Sequence, residues 1–377
     1  MVGKHLSSTH PPLLPTTEED TVNRLRLLRS RRVGIATYRR LLDEYGSADK
    51  ALNALPEIAK SAGASDYQTC PIGVVMAELK AGRAAGARLI IQGGADYPET
   101  LCEIPDAPPM LWCLGQTSLL SRPMIALVGA RNASSLGTRM AKRLAQELTE
   151  AGYIVVSGLA RGIDTAAHHG ALDGGTIAVQ AGGVDVIYPV ENTQLAHDIG
   201  KKGLRLSEMP MGLQPQARHF PARNRIISGL SRAVVVVEAA AKSGSLITAR
   251  NALDQARDVL AVPGHPFDAR ASGCNMLIRD GAQLVRNAAD IIEALSATAA
   301  HTPELPLPAP EPAKRSLRTT VALHDLILSR LGPAPVAEDQ LIRDIAAPMT
   351  MVAPILVDLE LDGKIIRQAG GLLSRVV

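Results

Sequence analysis

The hydrophobic pattern divides the chain into regions of different periodicity. Apolar residues recur at helical spacing from 21 to 63, where Gly34, Gly46 and Pro56 interrupt the pattern. This spacing predicts a small helical module of the helix-hairpin-helix or sterile-alpha-motif-like (SAM/HhH-like) kind. Modules of this kind bind nucleic-acid backbone or mediate protein contacts, and the sequence leaves both roles open.

Short apolar runs alternate with helical patterns from 87 to 295. Runs such as Val234 to Val237 are continuous and β-branched, which is typical of strands covered on both faces. The alternation predicts an α/β fold with an extended Rossmann-like, doubly wound parallel sheet, whose ligands bind at the carboxyl ends of the strands. The predicted strands are 125–129, 153–157, 176–180, 204–207, 233–237 and 259–262, and the main predicted helices are 135–151, 163–172 and 245–256.

The C-terminal region follows a segment with five prolines in ten residues, 303–312, which predicts an extended linker. Helical patterns and then an apolar stretch at 364–367 with a following Gly-Gly turn predict a winged helix. Acids and bases are balanced near its middle helix, so DNA binding and protein docking both stay open. The predicted segments are a flexible leader (1–20), the helical module (21–86), the Rossmann-like domain (87–295), a Pro-rich linker (296–318) and a winged-helix-like module (319–377).

Composition narrows the class of protein. Apolar residues make up 46% and charged residues 20% of the chain, which excludes a wholly disordered protein. The sequence contains neither a membrane-length apolar run nor a secretory signal, so a cytoplasmic location is predicted. The cysteines show no CxxC spacing, which indicates reduced side chains without a zinc site.

Charge and aromatic residues are unevenly distributed. The net charge is +3, and aromatic residues are only 2% of the chain, so a Phe in a basic segment needs an explanation beyond packing. Taken singly, each basic cluster is equally well explained as a solvated face. The first acid-free window, 107–146, contains Arg122, Arg131, Arg139, Lys142 and Arg143. The second, 209–237, contains Arg218, Arg223, Arg225 and Arg232.

Two strand-to-helix turns are candidate phosphate sites. The first, from Gly129 to Gly137, places Arg131 and small residues before a predicted helix, where free backbone N–H groups favour an anion. It lacks the GxGxxG and Walker patterns, so no nucleotide cofactor is predicted. The second follows the strand at 233–237 and comprises Lys242, Ser243, Gly244 and Ser245. An ordinary serine N-cap also explains this second turn.

A third segment combines guanidinium groups with a ring in a predicted polar loop. Single-stranded nucleic acid is bound by this combination, because cations follow the backbone while a base stacks on the ring. The alternative is that Phe220 anchors the loop and the arginines are solvated, but the scarcity of Phe favours the first interpretation. The segment contains Arg218, Phe220, Arg223, Asn224 and Arg225.

No catalytic or metal-binding group is predicted. Asp164 and His168 lie one helical turn apart, but no third ligand accompanies them. Helix capping by Asp164 and packing by His168 explain this pair better than a metal does.

Several motifs, in this order, resemble the DNA-processing protein A family (DprA, also called Smf). They include VGARNASSLG (128–137), SGLARGIDTAAHHGAL (157–172), GGVDVIYPVEN (182–192), FPARNRIISGLS (220–231) and SGSLITA (243–249). The resemblance implies a non-enzymatic recombination mediator without a cofactor, which binds single-stranded DNA and forms a homodimer through its Rossmann domain. It also implies loading of the RecA recombinase onto DNA covered by single-strand binding protein, especially in natural transformation (competence).

The resemblance also assigns residues. Gly129 and Arg131 match phosphate contacts, and Arg218 and Phe220 match the basic and stacking positions, with Arg223, Asn224 and Arg225 beside them. Lys242, Ser243, Gly244 and Ser245 would add phosphate contacts.

Two other classes of protein are alternatives. Rossmann enzymes of the phosphoribohydrolase type carry a GGxGTxxE loop where this chain has SGSLITA, and the carboxylate that their chemistry needs is missing here. A pure interaction scaffold would leave the two phosphate turns and Phe220 unexplained.

Overall fold

The computed structural model of the protein describes residues 18–63, 66–300, 317–332, 335–345, 347–368 and 372–376. The described residues from 18 to 300 form one unit, and those from 317 to 376 form a second. Most of the predicted leader (1–20) and of the predicted linker (296–318) lies outside the described residues. The predicted segment boundaries therefore stay predictions.

Four helices form the N-terminal part of the first unit. They are α1 (Glu18–Arg29), α2 (Ile35–Tyr45), α3 (Ala48–Ser61) and α4 (Ile72–Ala84). Gly46 ends α2 in the left-handed conformation, with φ of 72°, and Ser47 caps α3 by accepting a hydrogen bond from the amide of Lys50. The predicted interruption at Pro56 was wrong, because Pro56 lies on the exposed side of α3 and the helix continues past it.

A nine-stranded sheet forms the core of the first unit. Its strands are β1 (Arg88–Ile91), β2 (Met110–Gly115), β3 (Met124–Gly129), β4 (Ile154–Ser157), β5 (Thr176–Val179), β6 (Leu204–Ser207), β7 (Ala233–Glu238), β8 (Asp258–Ala261) and β9 (Gln283–Leu284). They lie in the order β1-β2-β6-β5-β4-β3-β7-β8-β9. Seven neighbouring strands are parallel, which confirms the predicted doubly wound sheet. In spatial order they are β6, β5, β4, β3, β7, β8 and β9. The antiparallel edge formed by β1 and β2 was not predicted.

Helices cover both faces of this sheet. They are α5 (Glu99–Cys102), α6 (Ser135–Glu150), α7 (Ile163–Ala171), α8 (Thr193–Lys202), α9 (His219–Leu230), α10 (Ser245–Asp254), α11 (Ser272–Arg279) and α12 (Ala288–Ala300). Successive side chains of a strand point to opposite faces. Val234 and Val236 of β7 therefore pack with apolar residues of α9 and α10, whereas Val235 and Val237 pack with those of α6 and α7. This double cover explains the continuous β-branched run.

The segment predicted as a polar loop, residues 218–225, is largely helical, so that prediction was wrong. Arg218 lies at the N-cap position of α9, and Phe220 is in the first turn of the helix. Pro221 is tolerated there because the first N–H groups of a helix have no intrahelical acceptor. The helix holds Phe220 and Arg223 on a rigid element.

A buried polar cluster joins the N-terminal helices to the sheet. The indole Nε1 of Trp112 on β2 donates to Glu78 Oε1 on α4, at 2.8 Å. Arg29 of α1 donates to both oxygens of Glu78, at 3.0 and 2.8 Å. Gly82 lies against the indole ring, where an added Cβ would be 2.3 Å from Trp112 Cζ3. The four helices are thus fixed to the edge of the sheet.

The second unit is a winged helix, as predicted. It contains α13 (Leu317–Arg330), α14 (Glu338–Ile345) and α15 (Met349–Leu361), with β10 (Val336–Ala337), β11 (Ile365–Gln368) and β12 (Leu372–Arg375) in the order β10-β12-β11. The predicted Gly-Gly turn at 370–371 lies outside the described residues. Nowhere in the described part of the chain is a helix both long and apolar enough to cross a membrane.

Candidate functional site

The sheet changes its direction of winding between β3 and β7. The chain runs from β3 through α6 to β4 on one side, and β7 lies on the other side of β3. At such a switch point the loops after neighbouring strands diverge and leave a crevice for a ligand. Arg131 lies in the loop between β3 and α6, which is one wall of this crevice. The other residues of the candidate site come from the loops after β4 and β5 and from α9.

A pocket of about 300 Å³ lies at the carboxyl ends of the strands. The guanidinium of Arg131 lies over the ring of Phe220, with its Cζ 5.2 Å from the ring centroid. Tyr188 contacts the same ring at 5.7 Å between centroids, with the ring planes tilted by 55°. The lining residues are Arg131, Gly158, Ala160, Arg161, Tyr188, Pro189, Val190, Glu191, Phe220 and Arg223. Of the predicted site residues, the structure thus brings together Arg131, Phe220 and Arg223.

Arg223 is a buried cation that faces this pocket. Its residue is 5% exposed, and its guanidinium has no hydrogen bond or ion pair with any described residue. Burial lowers the pKa of Arg223 to about 10, although the negative charge of Asp164 partly opposes this shift. A buried charge without a direct ion pair is unfavourable for folding, and a bound anion would reduce that cost.

Hydrogen bonds to side chains of α7 fix the turn after β4, against which Arg223 lies. Asp164 of α7 accepts from the amides of Gly158 and Ala160, at 3.1 and 3.3 Å. Burial raises the pKa of Asp164. His168 accepts from the amide of Leu159 at 3.3 Å, and its Nδ1 lies 2.7 Å from Thr176 Oγ1. The predicted packing by His168, which is fully buried, is confirmed. The predicted helix capping by Asp164 was wrong, because α7 begins after Gly162 without a side-chain cap and Asp164 instead accepts from amides of the preceding turn.

The predicted phosphate turn after β3 already holds a carboxylate. Glu238, the last residue of β7, accepts hydrogen bonds from the amide and the hydroxyl of Ser134, at 3.0 and 3.1 Å. A Cβ on Gly137 would lie 1.9 Å from Glu238 Oε2, and one on Gly129 would lie 2.6 Å from Ile163 Cγ1. The chain therefore supplies its own anion at the N-terminus of α6. Phosphate binding by Gly129 stays a prediction.

Arg225 points away from the pocket into an ion-pair cluster. It pairs with Glu208 and, at 3.3 Å, with Asp106, and its side chain is 12% exposed. Burial raises the pKa of Glu208, which the charge of Arg225 opposes. Arg218 donates to His219 Nε2 at 3.3 Å, and neither Arg218 nor Asn224 lines the pocket. The DNA contacts assigned to these three residues stay predictions.

The second predicted phosphate turn lies at the N-terminus of α10. Gly244 is the N-cap residue, and the hydroxyls of Ser243 and Ser245 are hydrogen-bonded to each other at 2.7 Å. Lys242 is exposed. None of the residues from Lys242 to Ser245 lines the pocket that contains Phe220, and their role stays a prediction.

The sequence analysis did not predict Tyr188 and Arg161 as site residues, although both line the pocket. Tyr188 is 51% exposed, although aromatic residues are scarce in this chain. The same scarcity argument that singled out Phe220 also applies to Tyr188, which precedes a proline between a strand and a helix. Arg161 forms an exposed ion pair with Glu191 at 3.5 Å, a contact that the sequence does not indicate.

Comparison with known proteins identifies the family. The family "DNA recombination-mediator protein A" matches residues 88–296. The chain belongs to the DprA family. Its flanking regions match a DprA-like N-terminal HHH domain over 18–81 and a DprA winged helix domain over 311–371.

Individual DprA relatives cover much of the chain. Protein Smf of Escherichia coli is 39% identical over 280 residues, which span 73% of this chain and 74% of the relative. DNA processing protein DprA of Streptococcus pneumoniae is 48% identical over 198 residues, or 52% of this chain and 70% of the relative.

Two solved DprA structures are similar to the fold. The X-ray structure of the Streptococcus pneumoniae protein matches with a TM-score of 0.62 and 38% identity, covering 72% of this chain and 97% of the other. A Helicobacter pylori DprA structure, described for its single-stranded DNA binding mode, matches with a TM-score of 0.52 and 31% identity. That match covers 56% of this chain and 96% of the other.

Proposed function

We propose that this DprA-family protein is a non-enzymatic recombination mediator that binds single-stranded DNA in the pocket around Phe220. The observation that carries the proposal is the combination of Arg223, buried and unpaired, with an aromatic ring in one pocket. A phosphate would pair with the buried guanidinium while a base stacks on the ring. Neither contact reads a base edge, so binding is expected to tolerate any sequence.

Arg131 would change partner when DNA binds. Its guanidinium covers one face of Phe220 at 5.2 Å, which leaves no room for a base between them. An exposed cation–π contact is worth about 0.5–1 kcal/mol, whereas stacking of a base is worth about 1–3 kcal/mol. A base therefore displaces the exposed Arg131 side chain, which is then available to a backbone phosphate.

The wider role follows from the family. We propose that the protein acts in the cytoplasm as a homodimer assembled through the Rossmann-like domain. In this role it loads RecA onto single strands, including strands covered by single-strand binding protein, during DNA processing or natural transformation. No cofactor or catalytic residue is part of this proposal. The N-terminal helices and the winged helix lie at either side of the domain in sequence, and each is proposed to contribute contacts to DNA or to proteins.

Fluorescence anisotropy with labelled oligo-dT and a duplex of equal length tests the DNA-binding proposal. We expect tighter binding to the single strand and a loss of affinity at higher salt, because bound phosphates release counterions. Phe220→Ala should weaken binding by about 1–3 kcal/mol. Arg131→Ala should weaken binding and reduce the slope of log K against log salt by about 0.7, the value of one phosphate contact on a single strand.

Lys201→Ala is the matched control. Lys201 is exposed near the end of α8, directly before β6 begins. It therefore lies at the amino ends of the strands, whereas the pocket lies at their carboxyl ends. The control should bind as the parent does. Unchanged affinity in folded Phe220→Ala would remove stacking from the proposal, and equal affinity for duplex and single strand would overturn it.

A further inference from the structure

A second pocket lies on the other side of the loop between β3 and α6. Its volume is about 590 Å³, which is in the range of sites that hold nucleotide-sized ligands. Most of its lining comes from the first turns of α6, the ends of β7 and β8, and the segment 263–271 after β8. The lining residues are Ser134, Leu136, Gly137, Arg139, Met140, Arg143, Val237, Glu238, Val262, Pro263, Gly264, His265, Asp268 and Ala271. None of these lines the pocket that contains Phe220.

Phe267 lies in the sequence between two lining residues of this second pocket, His265 and Asp268. It is one of the two Phe residues of the chain and is 95% exposed. Its ring centroid lies 5.6 Å from that of the lining residue His265. Leu136, a lining residue from α6, is 67% exposed. Exposed rings and apolar side chains beside a cavity of this size mark a binding surface rather than a folding core.

One cation of the second pocket, Arg139, has no partner among the described residues, whereas the other charged groups named below have one. The carboxylate of Glu238 is bonded to Ser134, and Asp268 accepts from the amide of Arg270 at 2.9 Å. Arg143 is paired with Glu147. Arg139 is exposed and has no hydrogen bond or ion pair with another described residue. A ring with an unpaired guanidinium is the same combination that the first pocket presents.

The two pockets are close enough for one strand. Arg131 lines the first and Ser134 lines the second, so their Cα atoms are at most about 11 Å apart along the backbone. About three stacked nucleotides span that distance. We propose that single-stranded DNA leaving the Phe220 pocket continues across this loop into the second pocket, where a base stacks on Phe267 and a phosphate pairs with Arg139. This inference rests on the proposed function of the first pocket.

Strand length tests the second pocket separately from the first. Anisotropy is measured with oligo-dT of about three nucleotides, which is too short to occupy both pockets at once, and of about twenty, which reaches both. Phe267→Ala and Arg139→Ala should each weaken binding of the longer strand by about tenfold and leave the shorter strand unaffected. Phe220→Ala should weaken both strands. Lys201→Ala, at an exposed position of α8, is the matched control.

The outcomes distinguish the two proposals. If Phe220→Ala weakens both strands while Phe267→Ala and Arg139→Ala change neither, the second pocket is not a DNA site and the first proposal stands. Equal weakening of both strands by Phe267→Ala also overturns the second site, because the short strand should not reach it. If Phe267→Ala changes the sedimentation coefficient but not DNA affinity, the ring belongs to a protein contact. If the parent binds neither strand, both proposals fail.

Discussion

The guanidinium of Arg223 lies directly against the backbone of Gly158. A Cβ built on Gly158 would be 1.3 Å from Arg223 Nη1, so residue 158 has no room for a side chain while Arg223 keeps its place. Gly158 is the first residue after β4, and Arg223 comes from α9, more than sixty positions later in the sequence. The absence of a side chain at one position thus allows a buried cation from another.

Gly158→Ala should displace Arg223 and couple energetically to it. We expect a loss of about 1–3 kcal/mol in the free energy of unfolding, as for other overpacked sites. In an Arg223→Ala background the loss should be much smaller, because the colliding atoms are gone. Urea unfolding, followed by the fluorescence of Trp112, the only tryptophan, measures the free energy of unfolding of the parent, the two single variants and the double variant. Additive losses would show that the two residues do not compete for this space.

Glu238→Ala should destabilise the first turn of α6. The substitution removes the carboxylate that accepts from Ser134, and loss of such a cap is worth about 0.5–2 kcal/mol. Glu238→Gln keeps an acceptor without the charge and should lose less. Sulfate, compared with chloride at equal ionic strength, should raise the Tm of Glu238→Ala more than that of the parent, since an anion can then replace the carboxylate. Parent-like stability of Glu238→Ala would contradict this role.

His168 should make stability fall at acid pH. Burial lowers the pKa of His168 to about 3, whereas a histidine of the unfolded chain titrates near 6.5. Between these values the unfolded chain binds more protons, so each pH unit below about 6.5 removes up to about 1.4 kcal/mol of stability. Burial raises the pKa of the neighbouring Asp164, which acts in the opposite direction at low pH.

Comparison of variants isolates this effect of His168. The free energy of unfolding of His168→Asn should decline less than that of the parent from about pH 7.5 to about pH 5. His169→Gln, at the exposed neighbouring position, should keep the parent's decline. Identical declines in the parent and His168→Asn would rule out protonation of His168 as the cause.

The hydrophobic pattern predicted the central sheet because each buried strand is marked by its own run of apolar residues. Val234 to Val237 form a continuous apolar run, and such a run is stable as a strand between two layers of helices. Pattern failed at Phe220, where Pro221 and nearby arginines indicate a loop. Packing of Ile226, Ile227 and Leu230 against the sheet makes this segment helical instead. Burial of an apolar helix face by distant strands outweighs local preference.

The sequence by itself determined the alternation of strands and helices, the positions of the two strand-to-helix turns, and the chemistry of Arg131, Phe220 and Arg223. Only the tertiary structure decided their partners. It placed Tyr188 beside Phe220, put the carboxylate of Glu238 at the N-terminus of α6, and buried Arg223 without a hydrogen-bond partner for its Nε. The physical reason is that parallel strands bring residues distant in sequence to one edge of the sheet, where burial and charge depend on neighbours that no local pattern specifies.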